Sequence, residues 1–519
     1  MKHRGCGAML MVCGTALASA GCRGDLADDL RDLLAHGGDH GTGGTCGGSG
    51  GGGGEQPPPV DPAPPRLIAP LSASLVSTAQ PRLRWALPAG TDGAAIDVCA
   101  DRACSNVIAT ISATGETATP PAPLPAGHVF WRARGTAGGV AGAASSPTWE
   151  LFLPHRAAQP TTALATRADF DGDGYTDFVL DGRVLRGGPT GYAGSFDVPP
   201  GPADATLEVY VVAGDLNGDG FTDLLRVDQT AQAPYQAVGL WTPAPLLGGA
   251  TGFTPGMTSA GTGPSGAAYQ FLPAGDVNGD GYADVVIKTR FDARTWQGGA
   301  AGLTDGPVPV IATSQGFPTA DGDVNGDGFS DAASNSNGET AFDFTPGSAA
   351  GFAASAASQV TLPRQPSVGL IAMLEVTGDS YADVAVTFPD GVQIFAGSPS
   401  GVASVPIVTL AGNTPTALAA GDFNGDGQPD LVVNDGGALE IHYGAGGVPG
   451  AAGVPLAAPS LPDVSTSRGA VGDVNGDGYD DLTVGAFALD ATDQRYHVRT
   501  AVLHLGGPMG LDPTGTPAE

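Results

Sequence analysis

The stretch "AGDVNGDGYADVVI", residues 274–287, decides the fold of this chain. Asp276, Asn278 and Asp280 alternate along its first half, and the glycines between them allow the backbone to bend tightly. The stretch ends in "VVI", a run of β-branched residues that predicts a strand. The sequence therefore places a turn rich in side-chain oxygens directly before a strand.

The nine-residue core of this stretch occurs seven times, and successive copies begin 46, 61, 47, 52, 47 and 51 residues apart. A glycine-rich element such as "QGGAAGL" or "LGGATGF" follows each copy. Regular recurrence of this kind is typical of repeat architectures. The copies are "DFDGDGYTD" at 169, "DLNGDGFTD" at 215, "DVNGDGYAD" at 276, "DVNGDGFSD" at 323, "EVTGDSYAD" at 375, "DFNGDGQPD" at 422 and "DVNGDGYDD" at 473.

Repeats of about fifty residues that contain only strand and turn signals predict an all-β fold. Each repeat has room for a four-stranded sheet, and seven such sheets can close into a β-propeller, with an open solenoid as the alternative. We expect residues 161–519 to form this seven-bladed propeller. The chain ends in "GGPMGLDPTGTPAE", which leaves little for a last outer strand. Residues near Thr161 could supply that strand.

The repeats resemble the FG-GAP or VCBS repeats of bacterial surface proteins and of the integrin α-subunit head, and the resemblance covers residues 161–519. It implies that the nine-residue loop joins two adjacent strands of one blade. It also implies that partners bind the face opposite the calcium loops.

The alternating oxygens of each loop predict a Ca²⁺ site, because Ca²⁺ prefers six to eight hard oxygen ligands. Side chains at positions one, three, five and nine and the backbone carbonyl at position seven would form the shell, with a bidentate Asp at position nine. An EF-hand instead requires Glu at position twelve and flanking helices, and no copy has that Glu. The expected ligands are Asp169, Asp171, Asp173, Tyr175 and Asp177; Asp215, Asn217, Asp219, Phe221 and Asp223; Asp276, Asn278, Asp280, Tyr282 and Asp284; Asp323, Asn325, Asp327, Phe329 and Asp331; Asp422, Asn424, Asp426, Gln428 and Asp430; and Asp473, Asn475, Asp477, Tyr479 and Asp481.

A metal-free turn is the alternative, but carboxylates about 4 Å apart would repel by roughly 4 kcal/mol per pair at an effective dielectric constant near 20. We therefore expect about six Ca²⁺ sites, which would reduce the net charge from −31 to −19. The copy from Glu375 to Asp383 has lost three of the shared residues and is not counted among them. The aromatic residue at position seven of most copies is expected to pack between strands.

The N-terminus predicts export. Residues 1–21 have a basic start and a short apolar core, as in a signal peptide. They end in "LASAGC", which resembles a bacterial lipobox and implies lipidation of Cys22, although Ser19 stands where the family usually has Leu; plain secretion is the alternative. Residues 22–65 are Gly-rich and then Pro-rich, which predicts a disordered tether.

Residues 66–155 contain short strand-like runs that predict a small β-sandwich. Its "LRW" and "FWRAR" segments resemble those of fibronectin type III domains. Trp85 and Trp131 are expected in its core. Cys99 and Cys104 enclose the predicted turn "ADRA", and in an exported protein they are either a disulfide or two free thiols.

The net charge and the motifs of the chain exclude several functional classes. A chain this acidic repels nucleic acid, and its scattered histidines form no "HExxH" motif or nucleophile elbow. We expect a non-enzymatic surface protein, lipid-anchored to the bacterial envelope, that binds an extracellular protein or glycan. A lectin or a polysaccharide-active enzyme is the alternative. The segment with Tyr235 and Trp241 is either a binding loop or a strand.

Overall fold

The computed structural model describes residues 61–153 and 168–518. The predicted signal peptide, Cys22, the tether up to residue 60, Thr161 and Tyr235 lie outside the described residues. Within the two ranges, the further gaps are residues 73, 77–78, 181, 203–204, 231–239, 257–267, 290–292, 306–316, 336–339, 354–355, 367–370, 380, 413–414, 459–467 and 490–495.

Every regular element of the described residues is a β-strand, so the prediction of an all-β chain is confirmed. No helix in this part of the chain is long and apolar enough to cross a membrane.

The first domain, residues 61–153, contains two sheets that share one core. Trp85, Trp131 and Trp149 are all buried in it, and the last two rings meet edge to face with centroids 6.1 Å apart. The strands are β1 (Arg66–Ala69), β2 (Ser74–Leu75), β3 (Leu83–Ala86), β4 (Gly93–Cys99), β5 (Val107–Thr114), β6 (Thr117–Ala118), β7 (Gly127–Ala137), β8 (Val140–Ala141) and β9 (Trp149–Leu153). One sheet has the order β1-β3-β6 and the other β2-β9-β7-β4-β5, with β8 paired to β7.

The repeats form seven sheets in the described residues, one for each loop, and every neighbouring pair of strands within them is antiparallel. Sheet 1 has β10 (Phe178–Leu180), β11 (Arg183–Leu185) and β12 (Ser195–Asp197). Sheet 2 has β13 (Ala205–Gly214), β14 (Asp223–Thr230), β15 (Leu240–Leu247) and β16 (Thr254–Pro255). Sheet 3 has β17 (Ala268–Gly275), β18 (Asp284–Thr289), β19 (Ala293–Gln297) and β20 (Thr304–Asp305). Sheet 4 has β21 (Phe317–Gly322), β22 (Asp331–Asn335), β23 (Ala341–Thr345) and β24 (Ser358–Thr361).

The last three sheets repeat this order. Sheet 5 has β25 (Ile371–Leu374), β26 (Asp383–Phe388), β27 (Gly391–Phe395) and β28 (Val408–Ala411). Sheet 6 has β29 (Pro415–Gly421), β30 (Asp430–Asp435), β31 (Ala438–His442) and β32 (Val454–Leu456). Sheet 7 has β33 (Arg468–Gly472), β34 (Asp481–Leu489), β35 (Tyr496–His504) and β36 (Thr516–Ala518).

Each sheet packs on its neighbours through both faces, and β18 illustrates why its sequence is continuously apolar. Alternate side chains of a strand point to opposite faces. Val285 and Ile287 join the cluster shared with sheet 2, whereas Val286 joins the cluster shared with sheet 4. A strand covered on both sides needs apolar residues at successive positions, which explains the "VVI" run.

Sheet 7 packs on sheet 1 as well as on sheet 6. Phe178, Leu180 and Leu185 of sheet 1 share a buried cluster with Ala501 and Ala518 of sheet 7. Ala518 belongs to β36, which pairs with β35. The C-terminal segment, which leaves little for an outer strand, thus supplies one of three residues, and the residues near Thr161 lie outside the described part of the chain.

Candidate metal centres in the repeated loops

Position one of each loop organises the turn through its carboxylate. In the third repeat, Oδ1 of Asp276 accepts the amides of Gly279 at 2.6 Å and Asp280 at 3.1 Å, and Oδ2 accepts the amide of Gly281 at 2.7 Å. Asp276 is fully buried. Gly279 and Gly281 have φ values of 74° and 93°, a region that favours glycine. The carboxylate therefore sits at the centre of a backbone that wraps around it.

The side chains at positions three and five are held in register by the same turn. Oδ1 of Asn278 accepts the amide of Asp280 at 2.9 Å, and its Nδ2 donates to Oδ2 of Asp280 at 3.0 Å. Oδ1 of Asp280 accepts the amide of Tyr282 at 3.0 Å. These bonds bring three oxygen-bearing side chains to one side of the loop.

Position nine has a role that the sequence analysis did not identify. Oδ2 of Asp284 accepts the amide of Val277 at 3.0 Å, and Oδ1 accepts the amide of Gly298 at 2.9 Å. The same two bonds occur in all seven repeats. The distance from the glycine amide nitrogen to the aspartate Oδ1 is between 2.7 and 3.0 Å. The glycine-rich element that follows each loop therefore supplies the donor to this carboxylate. A bidentate metal contact by position nine would have to use the remaining lone pairs of these oxygens.

The loops also join neighbouring repeats. The amide of Ala283, at position eight, donates to the carbonyl of Asp215 at 2.9 Å, and the amide of Gly299 donates to the carbonyl of Leu216 at 2.8 Å. Equivalent pairs of bonds are recorded at six of the seven junctions. The exception is the junction of sheets 5 and 6, where position eight is Pro429 and has no amide hydrogen.

The aromatic ring at position seven packs against a neighbouring loop. A Cβ added to Gly172 would meet the ring of Phe221 at 2.6 Å, and one added to Gly279 would meet the ring of Phe329 at 2.7 Å. Tyr282 covers the corresponding glycine of the second loop in the same way. The expectation that these rings pack between strands is therefore wrong for these repeats: each ring covers position four of the preceding loop, and only glycine leaves room for it.

Burial and mutual repulsion raise the pKa of carboxyl groups at positions one and nine of the loops. Burial, followed by the charge of Asp280, raises the pKa of Asp276 to about 7. Burial, followed by the charge of Asp276, raises the pKa of Asp284 well above its ordinary value. Burial is also the main cause that raises the pKa of Asp481 to about 8. Such a cluster is fully ionised near neutral pH only if a cation offsets the charge.

The carboxylate oxygens of the first loop are close enough together to bind one hard divalent cation. Buried carboxylate oxygens of Asp169, Asp171 and Asp177 all lie within 4.8 Å of one another. Oxygens bound to one Ca²⁺ at about 2.4 Å cannot be more than about 4.8 Å apart. The donors are all oxygens, which matches the preference of Ca²⁺, and these residues together with Asp173 would hold the ion.

The first loop also has an arginine beside it. Nε of Arg186 contacts Oδ2 of Asp171, and its Nη2 lies 3.5 Å from Oδ2 of Asp173. The corresponding position before the glycine pair is Leu247 in the second repeat and Gln297 in the third. The first loop is therefore partly neutralised by the protein itself.

The fifth loop keeps the turn but changes its donors. Oε1 of Glu375 accepts the amides of Thr377 at 2.9 Å and Gly378 at 2.6 Å. Burial, followed by the charge of Asp383, raises the pKa of Glu375 to about 8. The longer side chain thus keeps the hydrogen bond to the amide at position four and adds one to the amide at position three, where Thr377 replaces the usual amide side chain.

Residues of the first domain reach four of the loops. Arg102 and Ser72 donate to the carbonyl of Gly281 in the third loop at 2.5 and 3.1 Å. Arg102 also donates to the carbonyl of Gly218 in the second loop at 2.9 Å. His128 lies 3.7 Å from Asp169 of the first loop, and Arg66 donates to the carbonyl of Asp327 in the fourth. These contacts join residues far apart in the chain, and their only signal in the sequence is a single arginine inside a turn bounded by two cysteines.

Two further predictions concern a possible binding loop and a cysteine pair. Trp241 lies in β15, where its backbone pairs with Gln229, so it is not in a loop. Cys99 and Cys104 form a disulfide.

Comparisons with known proteins agree with the repeat pattern. Residues 376–433 match the family described as FG-GAP-like repeat, and residues 465–492 match the FG-GAP repeat family. No curated protein sequence matches the chain. One similar solved structure is the Photorhabdus luminescens Tc holotoxin pore with the mutation TccC3-D651A, at 15% identity and a TM-score of 0.30. That alignment covers 75% of this chain and 18% of the toxin chain, so this chain spans less than a fifth of that protein's length.

The two family matches fall on the fifth to seventh repeats, where the loops and the glycine-rich elements are joined by the same hydrogen bonds as in the other four. The prediction of FG-GAP repeats is thus confirmed for residues 376–433 and 465–492.

Proposed function

We propose that the seven sheets are the blades of a β-propeller whose loops bind Ca²⁺, and that the protein is a non-enzymatic binding protein at the cell surface. The observation that carries this proposal is the junction of sheets 7 and 1. The amides of Thr176 and Gly188 donate to the carbonyls of Asp473 and Val474 at 3.1 and 3.0 Å. These are the bonds that join five of the other six pairs of neighbouring repeats, and an open solenoid would leave its two ends apart.

Calcium has a structural role in this proposal. The carboxylates that would bind it lie beside the backbone bonds between neighbouring repeats, since position one supplies both a carboxylate and an acceptor carbonyl. A cation that relieves repulsion in the loop therefore also stabilises the junction. About six loops retain the donors for this role, and the fifth differs as described above.

The distribution of perturbed acids supports a non-enzymatic protein. Among the described residues, every carboxyl group whose pKa is raised belongs to one of the seven loops, with the exception of Glu150. Glu150 is fully buried beside Arg102 and His128. A catalytic acid has to meet substrate in a cleft, and these groups are instead bonded to the backbone or to other side chains.

The proposed location of the protein in the cell follows from its N-terminal segments. A lipid at Cys22 would anchor it to the bacterial envelope, and residues 22–60 would serve as a tether. Residues 61–65 of the predicted tether belong to the first domain, where the carboxylate of Asp61 accepts the amide of Ala143 at 3.1 Å. The first domain, with its fibronectin-like segments, would hold the propeller away from the membrane. The propeller would then present its loops to an extracellular protein or glycan.

Binding assays on the full mature chain in the presence of Ca²⁺ test this function. A glycan array and retention of whole cells on the immobilised protein would be compared with polysaccharide incubations analysed for released sugars. Saturable binding without release of products supports the proposal, and saturable sugar binding identifies the ligand as a glycan. Catalytic release of sugars would refute it in favour of an enzyme.

A further inference from the structure

Arg102 connects the first domain to two neighbouring loops of the repeats. Its Nε donates to the carbonyl of Gly218 in the second loop at 2.9 Å, and its Nη2 donates to the carbonyl of Gly281 in the third loop at 2.5 Å. The guanidinium lies over the ring of Tyr282, 4.3 Å from its centroid, and its side chain is only 15% exposed. One side chain of the first domain thus bridges two adjacent loops.

The turn that carries Arg102 is rigid. The disulfide between Cys99, the last residue of β4, and Cys104 closes it. The carboxylate of Asp101 accepts the amides of Ser105 at 3.0 Å and Asn106 at 2.8 Å. A short covalently closed turn presents its central side chain in one direction, so little conformational freedom is lost when Arg102 enters the loops.

Glu150 and His128 complete the contact around Arg102. The carboxylate of Glu150 lies 3.4 Å from Nη2 of Arg102, and its other oxygen lies 3.0 Å from Nδ1 of His128. Glu150 is fully buried, and its carboxyl group is hydrogen-bonded to the side chain of Asp215 in the second loop. Its burial therefore depends on the two domains remaining in contact.

We propose that divalent-cation binding to the second and third loops controls docking of the first domain, with Arg102 as the residue that couples the two. This inference rests on the calcium binding proposed above. Arg102 contacts the loops mainly through the carbonyls of Gly218 and Gly281, whose directions are set by the winding of each turn. The nearest recorded loop carboxylate, Asp215, is 3.8 Å from its Nη2, beyond hydrogen-bonding distance.

The sign of the coupling follows from these contacts. A cation that stabilises the wound turn keeps both acceptor carbonyls aimed at Arg102. The second loop has three aspartates, so one Ca²⁺ reduces its formal charge from −3 to −1, which leaves an attraction for the guanidinium that is weaker than without the cation. The sign of the coupling is therefore set by the two carbonyl contacts. Cation binding therefore favours docking. Linkage requires that docking raises the cation affinity of these loops by the same factor.

Carbodiimide labelling of the full mature chain, mapped by mass spectrometry, tests the coupling. Glu150 should be protected in 2 mM CaCl₂ and labelled at least about tenfold faster in EGTA. In the R102M variant, Glu150 should be labelled fast even in CaCl₂. Isothermal titration calorimetry should show that this variant binds calcium more weakly at two sites. R132M is the matched control, because Arg132 lies 3.7 Å from Asp97 within the first domain, and its Glu150 should label like Glu150 of the wild type. Asp97 loses a partner in this control, so Asp97 labelling is compared only between the wild type and R102M.

Three outcomes would overturn the coupling. Glu150 could remain protected in R102M, or it could remain protected in EGTA although calorimetry shows that calcium had been bound and removed. Labelling of Asp97 could also rise together with that of Glu150, which would indicate unfolding of the first domain instead of undocking. A calorimetric trace without calcium binding would refute the proposed calcium role itself, whereas the comparison of R102M with R132M would still test docking.

Discussion

The amide of Thr176 donates to the carbonyl of Asp473 at 3.1 Å, which joins the first repeat to the last. Asp473 also accepts the amides of Gly476 and Gly478 through its two carboxylate oxygens. The same residue thus shapes its own loop and bonds to the next sheet. Loss of order in one loop therefore weakens a junction between two sheets, and this relationship underlies the following predictions.

Chelation should destabilise the protein. At a free calcium concentration ten times each dissociation constant, linkage contributes about 1.4 kcal/mol per site, or roughly 8 kcal/mol for six sites. We expect the melting temperature to fall by many degrees in EGTA, as measured by differential scanning calorimetry. Readdition of CaCl₂ should restore it. Superimposable melts in EGTA and CaCl₂ would refute a structural role for calcium.

Replacement of Gly298 by alanine should destabilise sheet 3. The added Cβ would lie 2.2 Å from the carbonyl oxygen of Ala283 and 2.9 Å from that of Leu216. Backbone must move to admit it, at a cost of about 2–3 kcal/mol. Urea unfolding in CaCl₂ measures this loss.

The adjacent Gly299→Ala variant is the matched control for that experiment. Its Cβ would meet nothing closer than the carbonyl oxygen of Gly302 at 3.9 Å. It should change the free energy of unfolding by less than about 1 kcal/mol. Equal losses in the two variants would contradict the proposed close approach at Gly298.

Replacement of Ala283 by proline should weaken the junction of sheets 2 and 3. It removes the donor to the carbonyl of Asp215, and an unsatisfied buried acceptor costs about 1–3 kcal/mol. Proline already occupies this loop position as Pro429, so the turn tolerates its ring there. Urea unfolding measures the effect.

The reverse substitution, Pro429→Ala, is the control for the proline experiment. It would gain about 1 kcal/mol from a new hydrogen bond and lose about 0.4–1 kcal/mol of proline rigidity. A nearly unchanged stability is therefore expected. A loss in this variant as large as that in A283P would show that the position, not the hydrogen bond, determines the effect.

Without calcium, stability should fall as the pH rises from 5 to 8. Burial and neighbouring acids raise the pKa of Asp276 and of Asp323 to about 7, from an ordinary value of 3.8. The folded protein therefore binds more protons than the unfolded chain between about pH 4 and pH 7. Each such group lowers the free energy of unfolding by about 1.4 kcal/mol per pH unit within that window.

Urea unfolding at pH 5, 6, 7 and 8 in EGTA measures this dependence. The same series in CaCl₂ is the control and should be flatter, because a bound cation favours the charged carboxylates. A stability in EGTA that increases from pH 5 to pH 8 would contradict the predicted sign.

Asp284 shows which properties of these loops can be predicted from neighbouring residues and which cannot. Its spacing from Asp276 and the lack of Glu at position twelve correctly separate the loop from an EF-hand, since Ile287 lies in β18. Its principal observed partners, however, are the amides of Val277 and Gly298. The second of these belongs to another strand connection, so pattern recognition within nine residues could not reveal it.

The sequence by itself determined the repeat length, the all-β content, the nine-residue loop and the acids within it, because each depends on residues that are close along the chain. Tertiary structure alone decided that Thr176 meets Asp473, that Phe221 covers Gly172 and that Arg102 enters the second and third loops. These contacts depend on how whole sheets and domains pack. Packing brings together residues that are far apart in the chain, so these contacts cannot be predicted from the spacing of neighbouring residues.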